Sequence, residues 1–337
     1  MTINFKVFKI YVIMDNEFPK KLYRCPTKLI LIGEHFAVYN KKAIAMPVEP
    51  YNFLTISESL IDGIEIYLNK KSISLEKNAY YFMPVVEYIR RTKRTDVRKR
   101  YSINLNGFKG MGNSASLAAL FTYATLQEYS LYDEKIFLSL AFECENLAHG
   151  QKASGIDLQT ILSKKPIIYQ KLSNNEKSFL EIEINIPEDF SLLAISTQLH
   201  NQKSDSTSKM IKKFADSYGN ALQSICDEYE TLFEEFLNSL NKKDFYNIAK
   251  LMNEVNELLL PVSTRTIESL RKLLLSNGAL GAKISGAGGN GSVVICLTDR
   301  RYLPKISKLL TQNKFNFFEV KILNSNNGVE RIENGLF

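Results

Sequence analysis

Four short segments of this chain gather residues whose types and spacing could act on an anion. In GFKGMGNSASLAAL, residues 107–120, three glycines precede Asn113, Ser114 and Ser116 and a run of good helix formers. Glycine tolerates positive φ, and the small polar residues can cap the amides that open a helix. A helix start also carries unpaired N–H groups and partial positive charge, so the stretch can cradle a phosphate or simply turn the chain into a helix. Its spacing fits neither a Walker loop nor the dinucleotide G-x-G-x-x-G. In CPTKLILIGEHFAVYNKKAIA, Lys28 begins a strand and Glu34 and His35 sit just beyond its end, where charged side chains line a cleft or decorate a loop.

The third segment, AFECENLAHGQKASGIDLQT, puts Glu143 and Glu145 on a helix and Asp157 after a glycine-containing loop. Helical geometry turns the two glutamates to different sides, so at most one faces a given site. Beside a phosphate cradle that glutamate is a natural Mg²⁺ ligand; elsewhere it is a surface residue. Asp157 lies between Ile156 and Leu158, a costly place for a lone carboxylate, and Lys28 could be its partner. The fourth segment, GALGAKISGAGGNGSVVICL, holds six glycines between Gly278 and Gly291. They permit close backbone approach to a ligand, or equally serve tight turns.

The elements that must position these residues read as strands early and late, with helices between. KLILIGEHF, AIAMPVEPYNFLTIS and GIEIYLN have strand character, and helices are expected over 78–91, 114–128, 134–147, within 206–239, over 243–259 and over 264–276. Strands return in GSVVICLT and FFEVKIL, the second ending at the turn signal NSNNG. The N-terminal MTINFKVFKIYVIMDN alternates apolar and polar residues and reads as a strand, not a secretory leader. This order predicts an α+β protein of two lobes, 1–180 and 181–337, meeting at a cleft.

Composition narrows the classes. At 337 residues, 45% hydrophobic and 23% charged, the chain is globular rather than disordered. No apolar run approaches the roughly 18 to 20 residues of a membrane span. Cys25, Cys144, Cys226 and Cys296 are scattered without a C-x-x-C, which suggests neither zinc nor a disulfide framework and fits a reducing cytoplasm. Within the net charge of +7, the run RRTKRTDVRKR at 90–100 has seven basic residues around one acid. It lacks interleaved aromatics and continues the polar side of an expected helix, so it reads as a solvated face and not as a nucleic-acid site.

Together and in this order the segments resemble the GHMP kinase superfamily, and within it the mevalonate kinase branch. KLILIGEHFAVYNKKAIA is similar to the first family motif, GMGNSAS to the second and KISGAGGNGS to the third. KASGID, SDSTSKMI and LMNEVNELLLPVS support them, and the resemblance covers nearly the whole chain after Lys21. It implies a two-lobed α+β fold, with an N-terminal nucleotide-binding lobe and a C-terminal helix-rich α/β lobe. It also implies transfer of the ATP γ-phosphate to the terminal hydroxyl of mevalonate, a step of isoprenoid biosynthesis.

By the same resemblance, Lys109, Gly110, Met111, Gly112, Asn113, Ser114, Ala115 and Ser116 hold the nucleotide. Ser114 and Glu145 hold Mg²⁺, and Asp157 receives or orients the substrate hydroxyl proton with Lys28 beside it. Glu34, His35, Thr207, Gly286, Ala287 and Gly288 face the substrate. Such a set is physically sensible, because phosphoryl transfer depends on alignment and charge stabilisation. The implied partners are ATP and a small alcohol, with no nucleic acid and no membrane, in a cytoplasmic protein with room for a homodimer. Alternatives are a superfamily kinase acting on phosphomevalonate or on another hydroxyl of mevalonate, and a non-catalytic ligand sensor.

Several positions depart from the family pattern. Thr27, Asn40, Phe108 and Asn290 stand where glycine is usual, and Asn113 replaces a serine. Asparagine tolerates positive φ, so Asn40 and Asn290 are expected to keep the backbone shape and Asn113 still to cap its helix. Phe108 is expected to narrow the nucleotide loop. The interval from Glu145 to Asp157 is one residue longer than usual, which leaves Glu143 as the alternative metal ligand.

Overall fold

The computed structural model describes residues 20–59, 61–150, 153–172, 176–198 and 205–332; the strand expected over 1–16 lies outside them. The chain opens with β1 (Lys21–Ile32), β2 (Ala43–Glu58), β3 (Glu65–Leu68) and β4 (Lys71–Ile73). It continues through α1 (Leu75–Asn78), α2 (Met83–Lys93), β5 (Lys99–Asn104), α3 (Asn113–Glu128), α4 (Glu134–Ala148) and α5 (Ile156–Leu162). Strands β6 (Ile167–Lys171), β7 (Lys177–Glu181) and β8 (Phe190–Ser196) lead to α6 (Thr207–Tyr218), α7 (Leu222–Lys242), α8 (Phe245–Leu258) and α9 (Arg265–Leu275). The chain then forms β9 (Ala279–Ser285), β10 (Val293–Asp299), α10 (Leu303–Gln312), β11 (Phe317–Glu319) and β12 (Glu330–Ile332).

Two sheets organise these elements. The first has eight strands in the order β12-β1-β2-β5-β3-β4, with the β6–β7 hairpin attached to the start of β2; the second has four, β11-β8-β10-β9. Although β12 follows the second sheet in sequence, it pairs with β1 in the first. From Cys25 onward β1 is buried on both faces. One face belongs to the first sheet's own helices, and Leu29, Leu31 and Ile32 share a continuous core with Ile284, Val294 and Leu297 of the second. An apolar run without alternation is what a strand packed on both sides requires.

Helix α3 is buried almost all round, from Ala115 to Leu126. Its alanines let the first sheet and α4 approach closely, the pattern of a helix central to its lobe. In the second lobe α8 and α9 cover β9, and α7 lies on α8.

Local chemistry accounts for where helices differ from expectation. The helix expected over 78–91 is two pieces, because Pro84 in the first turn of α2 cannot continue a preceding helix. The single long helix expected within 206–239 divides at Gly219, where φ 50° and ψ −121° suit glycine alone. The elements β4, β5, α5, β6, β7, β8, β9, α10 and β12 have no counterpart in the pattern reading. They are short, and in β9 a glycine and a lysine dilute the strand signal.

The basic stretch 90–100 is not one helical face. Helix α2 stops at Lys93, with Arg94 left-handed at φ 51°, and the remainder enters β5. Arg90 pairs with Asp96 of the same stretch, while Arg98 meets Asp62, Lys99 meets Glu58 and Arg100 meets Glu65 from other strands and loops. Among the described residues no helix is long and apolar enough to cross a membrane.

Candidate active site

Lys28 lies within β1 and does not begin it, and there the strand, the start of α3 and the start of α5 converge on one point. The Lys28 N–H donates to the Met111 carbonyl at 2.9 Å, which ties β1 to the loop before α3. Lys28 then runs beside Gly112, where a Cβ would stand 2.8 Å from its Cγ. Gly112 is also the N-cap of α3 at φ 71°, so both its conformation and its missing side chain are needed. At its far end Lys28 meets Asp157 in the first turn of α5, Nζ to Oδ1 2.9 Å, with the lysine side chain 3% exposed and the aspartate 21%. The carboxylate between apolar neighbours therefore has the partner expected of it, from a residue 129 positions away (157 − 28).

No side chain caps the start of α3, so its first-turn amides face outward from the glycine loop. Asn113 does not cap, contrary to expectation. Its amide donates to the Gly107 and Phe108 carbonyls at 2.9 and 3.2 Å and its oxygen accepts from Asn52 at 3.0 Å. Those bonds hold the loop shut against β2 and leave the helix terminus to an anion. Phe108 does not narrow the loop either: its ring packs against Phe318 of β11, 5.0 Å between centroids, and joins the core. Lys109 is exposed on the rim, its Nζ 3.5 Å from the Asp205 carbonyl, and partial burial pulls its pKa down.

Beside Asp157 lies an acid cluster. Glu145 is 1% exposed, while Glu143 faces solvent, so the alternative metal ligand is turned away. Among the described residues Glu145 Oε2 is buried without a hydrogen-bond partner. Burial, and next the neighbouring Asp157 charge, hold its carboxyl well above the usual carboxylate range. His149 follows one helical turn later, and donor atoms of Glu145, His149 and Asp157 all lie within 4.8 Å of one another. Ser114 Oγ is 3.0 Å from His149 Nε2. The residues thus form a pre-arranged oxygen and nitrogen donor set able to accept a divalent cation.

Glu34 and His35 are not exposed in a cleft. The Glu34 carboxylate accepts from the Gly33 N–H at 3.1 Å and is ion-paired with Lys283 of β9, both side chains fully buried. His35 stacks on Phe214 at 4.7 Å, and its Nε2 lies 2.9 Å from the Ala287 carbonyl. Burial lowers the imidazole pKa to about 4, against the weaker upward pull of that carbonyl. The ring is therefore neutral near pH 7. Because a carbonyl only accepts, Nε2 carries the hydrogen, and the buried Nδ1 is an acceptor left without a partner among the described residues.

The late glycine loop closes the group. A Cβ on Gly286 would stand 3.3 Å from the Gly110 carbonyl, so the two glycine loops abut. Ser285 fastens them to β1, donating to the Ile30 carbonyl at 2.9 Å while accepting the Ile30 N–H at 3.1 Å. Of the two expected glycine mimics, Asn40 is left-handed at φ 62° but Asn290 has no positive φ; its N–H donates instead to Asp205 Oδ2 at 2.9 Å. Thr207 is exposed on the first turn of α6, and that segment reaches the glycine loop through Asp205. Lys283, Asp205 and His149 escape sequence reasoning. Only His149 left a signal, one turn after Glu145 and just before a glycine.

Comparison with known proteins gives the class. Residues 212–313 match the family described as GHMP kinases C terminal. Among solved structures, the Methanococcus jannaschii mevalonate kinase shares the fold with a TM-score of 0.72 and 24% identity, covering 90% of this chain and 98% of that one. The L. major mevalonate kinase in complex with R-mevalonate follows at 0.71 and 22%, covering 91% and 97%. Residues 212–313 thus carry the C-terminal domain of GHMP kinases, and the whole chain has the fold of the solved mevalonate kinases. Over most of its length the chain is similar to curated mevalonate kinases. Curated relatives of that name include the Aeropyrum pernix protein, 26% identical over 80% of this chain and 86% of its own length. The Methanocaldococcus jannaschii protein is 26% identical over 89% and 98%.

Proposed function

We propose that this kinase phosphorylates mevalonate at its terminal hydroxyl with ATP. The observation that carries the reading is the Lys28–Asp157 pair, held at 2.9 Å beside Gly112 at the uncapped start of α3. An anion-binding helix terminus adjoining an acid–lysine pair is the minimum that phosphoryl transfer to an alcohol needs. The preference for mevalonate rests on the relatives' names and on the L. major complex with R-mevalonate.

In this reading the backbone from Lys109 to Ser116 holds the triphosphate, with Lys109 on its rim. ATP supplies the phosphoryl group, and Mg²⁺ when bound shields its oxygens. The donor set fits such an ion, because the buried Glu145 oxygen has no partner among the described residues and Ser114 adjoins it through His149. Asp157 receives the hydroxyl proton as the oxygen attacks, and Lys28 balances the charge on both. Neutral His35, buried against Phe214 with its hydrogen directed to the Ala287 carbonyl, supports the glycine-loop wall behind the substrate and brings no charge to it. Gly286, Ala287 and Gly288 shape the wall between phosphates and alcohol.

An ADP-release assay with mevalonate, phosphomevalonate, homoserine and galactose tests the proposal. Turnover is expected with mevalonate. Turnover confined to another alcohol would reassign the substrate, and none with any alcohol would favour a sensor.

A further inference from the structure

In the reading above His149 only links Ser114 to Glu145, yet a nitrogen of its ring lies within 4.8 Å of donor oxygens of Glu145 and Asp157, and its Nε2 faces Ser114 Oγ. We propose that His149 Nε2 ligates the cation directly, making this a mixed nitrogen and oxygen site that prefers Mn²⁺ or Co²⁺ to Mg²⁺. The inference deepens the proposed metal site and rests on it.

Three observations converge. His149 caps the C-terminus of α4 one turn beyond Glu145, so the two side chains share a helix face. Ser114 Oγ lies 3.0 Å from Nε2, and adjacent ligands of an octahedral ion with bonds of about 2.1 Å stand about 3.0 Å apart. Glu145 Oε2 is buried and has no hydrogen-bond partner among the described residues, which marks the vertex where a cation would be welcome. Asp157 is already engaged by Lys28 at 2.9 Å, so His149 is the better third ligand beside Glu145 and Ser114. Mg²⁺ takes oxygen almost exclusively, whereas an imidazole raises affinity along the series from Mn²⁺ to Co²⁺. The competing arrangement is an all-oxygen site in which His149 only holds the Ser114 hydroxyl.

The test titrates Mn²⁺ alone into the full chain and records pulsed EPR. Wild type should show ¹⁴N coupling from a bound imidazole. His149→Ala should lose it and bind Mn²⁺ and Co²⁺ at least about tenfold more weakly, with a smaller loss for Mg²⁺. His149→Gln can still hydrogen-bond Ser114 but offers no imidazole, so it should not restore Mn²⁺ affinity. Circular dichroism of each variant confirms that it is folded. Absence of Mn²⁺ binding, bound Mn²⁺ without ¹⁴N coupling, or full rescue by glutamine each overturns the inference. None of these readouts uses turnover, so failure on mevalonate would leave the result standing.

Discussion

The buried Glu34–Lys283 pair should behave as a bolt between the two lobes. Glu34 follows β1 of the first sheet and Lys283 belongs to β9 of the second, and neither side chain has any exposed area. Burial pulls the lysine pKa down against the upward pull of Glu34, so the ammonium depends on its partner. Removing one member leaves a buried charge unbalanced, which costs about 3–5 kcal/mol. That is a large share of the ~5–15 kcal/mol typical of a domain. Replacing both by apolar residues of similar length removes the stranded charge, and such exchanges are often neutral or stabilising.

Urea unfolding at neutral pH of wild type, Glu34→Met, Lys283→Met and the double variant measures this directly. Each single change should lose several kcal/mol and the double much less than their sum, a coupling of about 3 kcal/mol or more. Losses under about 1 kcal/mol, or strict additivity, would refute the reasoning. The same cycle tests whether Glu34 meets substrate. A carboxylate committed to Lys283 predicts that the double variant keeps turnover within about tenfold, a span of 1.4 kcal/mol in barrier. A stable but inactive double variant would put Glu34 back in the substrate site.

Gly112→Ala should lose turnover out of proportion to stability. The left-handed φ of 71° costs alanine about 1–2 kcal/mol. The new Cβ would also stand 2.8 Å from Lys28 Cγ, displacing the lysine from Asp157. Misplacement on that scale can cost about 100-fold in rate, and wild-type kinetics in the variant would contradict it. His35 gives an acid-sensitive stability: its folded pKa of about 4 lies below the ordinary 6.5, so its contribution is complete above 6.5 and is lost as pH falls toward 4. Over that window the loss is about 3 kcal/mol. His35→Gln should flatten the pH dependence of urea midpoints, and a parallel slope would refute the assignment.

The chemistry of the site was legible where residue type alone carries it. Lysine beginning a strand, aspartate between apolar neighbours and two glycine loops stand out in the sequence, and the structure brings them together. Their register was not legible, because Lys28 meets Asp157 only after β1, α3 and α5 have packed. The orientation of Glu34 depends on Lys283, a residue that looks like a dilution of β9 until the second sheet is placed against β1. Phe108 looked obstructive because its partner, Phe318, lies in the other lobe. The basic run at 90–100 is largely solvated, as its sequence reads, but its ion pairs were not legible because Glu58, Asp62 and Glu65 come from separate strands and loops. Helix boundaries set by caps were readable to within a few residues, as with Asp133 before α4 and Thr264 before α9.

In the proposed reaction Asp157, paired with Lys28, takes the hydroxyl proton during phosphoryl transfer. The most direct test is single-turnover transfer from labelled ATP to mevalonate by Asp157→Asn, alongside equilibrium nucleotide binding and circular dichroism. The account predicts a folded variant that binds ATP within a few fold of wild type and transfers phosphate about 100- to 10,000-fold more slowly. Transfer at the wild-type rate would contradict it.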